Sequence, residues 1–215
     1  MSGLILFPTV HSREPIDTIK EFYQSRRPHV LYSEWSRESE SVFNHMLDRV
    51  LRSIHNPELR AKVVDYKSRN LALLELNKSY ALEYGIEHVY AQQPSNVATI
   101  CNELETVPES SDGEFDLNIL FSSTDGYSKE AFETHYEIIM HDPDHPELLE
   151  LIEGLTVAGK LGVPDRHMAK VVEAHYNPSQ TQIFGVGMMH CCDSKKHQTL
   201  YSLLKKYSPE RMLIV

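Results

Sequence analysis

The stretch that ends at Glu34 leaves the chain few ways to fold. Residues 3–10 form a short apolar run broken at Pro8, and residues 15–27 carry Ile16, Ile19, Phe22 and Tyr23 at helical spacing. Residues 29–34, His-Val-Leu-Tyr-Ser-Glu, make a second strand-like run. Strand, helix and strand in that order favour parallel pairing through a right-handed crossover. The rest of the sequence extends the pattern. Ser36 can cap a helix running toward Ile54. A long helical period over residues 58–84 stops at Gly85, and residues 86–91 read as a third strand.

A helix is predicted over residues 94–104, a polar acidic loop over 107–114 and an alternating strand over 115–121. Helices over 129–140 and 146–161 follow, and then one over 165–174. Residues 181–188 are a strand running into His190. A helix over 194–206 and a strand over 211–215 close the pattern. The expectation is one α/β domain over residues 1–215. A mostly parallel sheet is flanked by helices, with residues 107–161 as a loop and helical insert.

Composition limits the partners. At 215 residues the chain can bury a sizeable core without disulfides or structural metal. Its 31 acidic against 21 basic residues give a net charge of −10, so duplex nucleic acid or an anionic membrane would be bound against the overall field. The opening apolar run is short and lacks basic residues before it, which reads as a strand and not a leader. No apolar run nears the roughly 20 residues of a membrane span. Three cysteines, two of them adjacent, form no disulfide framework and point to a reducing compartment, with the cytoplasm as the expected location.

In open α/β sheets, ligands bind beyond the carboxyl ends of the strands. His11 follows the first strand, Glu34 ends the second, and His190 follows the run over 182–187, so all three are expected at one edge. Two imidazoles and a carboxylate suit a catalytic divalent metal. The plainer alternative is that some of the 12 histidines fall at strand ends as hydrogen-bonded packing residues. Arg166 either pairs with Glu34, holds an anionic substrate group through its planar fork, or lies exposed at a helix start. Cys191 and Cys192 adjoin His190, but adjacent residues of an extended segment face opposite ways, which favours buried thiols over an imidazole-activated nucleophile. His-Asp-Pro-Asp-His at 141–145 gathers four potential metal ligands in five residues, and otherwise reads as a solvated turn with a helix cap. Arg26-Arg27 and Lys195-Lys196 read as solvated surface pairs, and Trp35 as a pocket wall or core filler.

Leu6-Phe7-Pro8-Thr9-Val10-His11 followed by Arg27-Pro28-His29-Val30-Leu31-Tyr32-Ser33-Glu34 resembles the TraB and Tiki families. Their first strand ends in a Gly-x-x-His motif and their second in Glu; here Pro8 stands in place of the glycine. Gly187-Met188-Met189-His190 resembles their second Gly-x-x-His motif, and Arg166-His167-Met168-Ala169 is similar to the helix before it. The likeness covers roughly the first 95 and last 50 residues; more distantly it extends to erythromycin-esterase-like and ChaN-like folds.

The resemblance implies an α/β fold and, as in Tiki members, metal-dependent peptidase activity with manganese or cobalt rather than zinc. It nominates His11, Glu34 and His190 as metal or catalytic residues and Arg166 as a supporting cation. The leading expectation is therefore a metal-dependent hydrolase of amide or peptide bonds, acting on a peptide or small molecule. Two alternatives stand beside it: a metal-free hydrolase of esters or phosphoesters, and a non-catalytic binder of small ligands or peptides. A homodimer is compatible with the apolar surface that residues 58–84 and 115–161 offer.

Overall fold

A computed structural model of the protein describes residues 3–9, 15–92 and 129–214. The elements run β1 (Gly3–Thr9), α1 (Ile16–Arg26), β2 (Val30–Ser33), α2 (Arg37–Ser53), α3 (Pro57–Tyr84) and β3 (Glu87–Tyr90). Then come α4 (Lys129–His141), α5 (Pro146–Val157), α6 (Val163–His175), β4 (Thr181–Gly187), α7 (Leu200–Leu204) and β5 (Glu210–Arg211). A 3-10 turn, Met188–Cys191, follows β4 directly. All five strands pair in parallel in the order β3-β2-β4-β1-β5, so this is the expected α/β fold. Among the described residues no helix is long and apolar enough to cross a membrane.

Local chemistry sets the boundaries of the helices. The Ser36 hydroxyl accepts the Ser39 amide at the start of α2, and Asn56 does the same for Glu58 and Leu59 ahead of Pro57. Gly85 ends α3 in the left-handed region at φ 64°. Alternation along the strands then divides the core. Leu4, Leu6, Val30, Tyr32, Phe184 and Val186 pack on α6 and α7, while Ile5, Phe7, Leu31 and Ile183 pack on α1 and α3. The amide of Asn77 on α3 accepts a bond from the Tyr23 hydroxyl at 2.7 Å and donates to Ser33 Oγ at 2.9 Å, which anchors the last residue of β2.

Gly185 lies where β4 meets Phe7. A Cβ built there comes 2.5 Å from the Phe7 ring and 2.8 Å from Leu73, so neither a ring nor a packed leucine can withdraw cheaply. Gly185→Ala is expected to cost about 1–3 kcal/mol in urea unfolding. A variant as stable as the parent would show that this junction is loose.

Three boundaries differ from expectation. Helix α5 stops at Val157, not at residue 161, because Gly159 and Gly162 turn the chain through positive φ. The helix expected from Ser194 begins only at Leu200. Ser194 Oγ instead accepts the amides of Lys196 and His197 in a local turn, and Thr199 is the true cap. The terminal strand is the short pair Glu210–Arg211. The elements expected over 94–104, 107–114 and 115–121 lie outside the described residues. Helices α4 and α5 place Ile139, Leu148 and Ile152 against Met188 and Cys192, so this part of the insert packs beside the turn that follows β4.

Candidate active site

The site is assembled from the ends of β2 and β4 and the start of α6. Asp165 occupies the third position of α6 and is fully buried. Its Oδ2 accepts the Gly162 amide at 2.7 Å; its Oδ1 accepts the Leu200 amide at 2.5 Å and meets His190 Nδ1 at 2.7 Å. On the other side of the ring, His190 Nε2 lies 3.2 Å from Glu34 Oε1. Glu34 stands one residue past β2, and its Oε2 accepts the Gly187 amide at 2.6 Å. The imidazole thus bridges two carboxylates, both of them fixed by backbone N–H groups. His190 and Glu34 side chains are only 9% and 12% exposed.

The electrostatics of the ring follow from this arrangement. Burial works against a charge on His190, but the Glu34 carboxylate, and then Asp165, outweigh it and push the group up to about 10. In the metal-free protein at neutral pH the ring is therefore an imidazolium donating from both nitrogens.

Two of these donors, His190 Nε2 and Glu34 Oε1, are the ones that could hold a divalent metal. Metal-bound imidazoles commonly donate their second N–H to a carboxylate, and Asp165 stands in that position. His190 Nε2 and Glu34 Oε1 lie side by side, as two ligands of one ion must. Among the described residues no group of three or more His, Cys, Asp or Glu forms a complete metal cluster.

Of the residues nominated from sequence, Glu34 and His190 come together as expected, and His11 lies outside the described residues. For Arg166 the structure gives the third of its expected readings, an exposed side chain at a helix start, and not the pairing with Glu34. It is exposed and donates to Gln198 Oε1 at 2.7 Å. The buried face of α6 carries Pro164, Asp165, Met168, Ala169 and Val172, and Arg166 lies off it. Asp165 is the residue the sequence reading passed over. Its signal was present: an acidic side chain in the first turn of a helix, three residues after Gly162, suits a carboxylate that accepts the free amide at the helix start.

The other candidates settle into structural roles. Cys191 and Cys192 are free and buried on different core clusters, and burial raises both thiols, Cys192 to about 11. Neither presents a thiolate near neutral pH. The turn at 141–145 is tied at its ends, His141 to Glu137 at 3.3 Å and Asp144 to Lys195 at 2.9 Å. Trp35 packs edge-on against Phe43 with ring centroids 5.3 Å apart, partly buried against the α2–α3 cluster.

Fold and site together define a parallel α/β protein with a carboxylate–imidazole–carboxylate line at the carboxyl edge of its sheet. Compared with known proteins, the chain matches no family profile, no curated protein and no solved structure.

Proposed function

We propose that the protein is a metal-dependent hydrolase of amide or peptide bonds. The observation that carries this reading is the Asp165–His190–Glu34 line at the sheet edge. His190 Nε2 and Glu34 would hold the ion, with His11 nominated by the family resemblance as a further ligand. Manganese or cobalt is the expected metal. The ion supplies Lewis acidity at the scissile carbonyl.

The chain's own groups do the rest. Asp165 accepts the Nδ1 proton of His190, which fixes the tautomer that presents an Nε2 lone pair. The Gly187 amide anchors one oxygen of Glu34, leaving the other either to bind the ion or to take a proton from an attacking water. The buried free thiols of Cys191 and Cys192 fit a reducing compartment, the cytoplasm in this reading.

The test is elemental analysis of the protein, His190→Ala and His11→Ala after loading with manganese, cobalt or zinc and desalting. About one equivalent in the parent, lost in both variants, is the expected result. No metal in any of the three would overturn the metal-dependent reading. His190, held between Glu34 and Asp165, would then stand as an acid–base group for ester or phosphoester cleavage.

A further inference from the structure

His190 is carried on a short element. The 3-10 turn Met188–Cys191 has four residues, and turns of this kind have poorer hydrogen-bond geometry than an α-helix, so its orientation depends on what holds it. On the site side it is held by the Gly187 amide on Glu34 and by His190 Nδ1 on Asp165. From the other side, three consecutive residues at the start of α7 serve it. The Thr199 hydroxyl donates to the Cys192 carbonyl at 2.5 Å, and the Leu200 amide donates to Asp165 Oδ1. The Tyr201 ring lies against the guanidinium of Arg211, with Cζ 4.0 Å from the ring centroid. Arg211 in turn donates from Nη1 to the carbonyl of Cys191, the residue after His190, at 3.1 Å.

The strand register explains how an arginine of β5 reaches that carbonyl. Arg211 pairs with Leu6, whose side chain packs with Cys191, Leu200 and Leu204, so both side chains leave the sheet on the face that carries the turn. Its partners set it apart. Arg26 and Arg69 pair with carboxylates, whereas among the described residues Arg211 is held by a carbonyl and a ring alone. Stacking on Tyr201 fixes the plane of the fork in advance, so little further freedom is lost when one N–H settles on Cys191.

We propose that Arg211, backed by Tyr201, is a positioning residue of the candidate site. By fixing the Cys191 carbonyl it holds the His190 ring with Nε2 on Glu34, and it touches neither substrate nor ion. Its effect on metal affinity rests on the hydrolase reading above, whereas its effect on the ring rests on these contacts alone.

The test compares Arg211→Met, Arg211→Lys and Tyr201→Leu with the parent by three measurements. These are thermal unfolding, the imidazole resonances of metal-free protein carrying isotope-labelled histidine, and manganese titration followed by electron paramagnetic resonance. His190→Gln identifies the His190 signal. Methionine keeps the length of the side chain but has no donor. It is expected to leave Tm close to that of the parent, to displace the His190 resonance and to weaken manganese binding about tenfold, the low end of what losing a residue that supports a metal ligand costs. Tyr201→Leu is expected to act in the same direction and less strongly, since the guanidinium keeps its donor. Lysine keeps the charge and a donor and is expected to recover most of the loss. An undisplaced His190 resonance in both Arg211→Met and Tyr201→Leu would overturn the proposal, whatever happens to Tm. So would a lysine variant as impaired as methionine. Should Arg211→Met fail to fold, Tyr201→Leu decides by the same signals. A parent that binds no manganese would fail the metal-dependent reading, and the His190 resonance then decides this inference by itself.

Discussion

Asp165→Ala is expected to lower stability by about 3–5 kcal/mol, the largest loss of any single substitution at the site. The substitution leaves the Gly162 and Leu200 amides without their acceptor and removes the carboxylate that steadies the His190 ring. Every partner is buried or half-buried, so little water replaces the lost bonds. A domain typically holds only about 5–15 kcal/mol in total, so the variant should unfold at a markedly lower urea midpoint. Asp165→Asn separates shape from charge. Its amide nitrogen must face either the Gly162 N–H or the ring N–H, so one repulsive contact replaces an attractive one, and a loss of about 1–3 kcal/mol is expected. Equal stability of the alanine variant and the parent would show that the carboxylate is not held as described.

Glu34→Gln is expected to leave the fold intact and reduce turnover by about 10²–10⁴-fold, the range usual for loss of a general base. The glutamine oxygen can still accept the Gly187 amide, so the end of β2 keeps its place. What is lost is the negative charge beside His190 and the capacity to take a proton. Metal content divides the two roles: retention of the ion with loss of turnover marks Glu34 as proton acceptor, whereas loss of both marks it as a ligand. Turnover equal to that of the parent would remove Glu34 from the chemistry.

Much of this arrangement was legible in the residue order. The β-α-β opening announced parallel pairing, and Ser36 and Gly85 placed the start of α2 and the end of α3 to within a residue or two. Glu34 and His190 could be assigned to one edge because strand ends converge in any parallel sheet. Asp165 could not be singled out by the same logic, since it belongs to a helix start and its role depends on an inward rotation that only packing decides. Arg166 was left open between Glu34, an anionic group and an exposed helix start for the same reason, since packing alone decides which face it takes. Ser194 and Thr199 are both sound caps by type. Which of them begins the helix was settled by the burial of Leu200 and Leu204, a tertiary preference that local sequence does not record.

Strand β4 lies between β1 and β2, although about 150 residues separate the end of β2 from its start. As the chain leaves the ribosome, β2 and β3 can pair early, but β1 has no described neighbour except β4 and β5, which are made last. At typical elongation rates of about 5–20 residues per second, the apolar strand Gly3–Thr9 waits roughly 10–30 s for its partner. Through that interval the nascent protein carries an unsatisfied strand that a holding chaperone can shield, and the Glu34–His190 site comes into existence only when the final strands slot home.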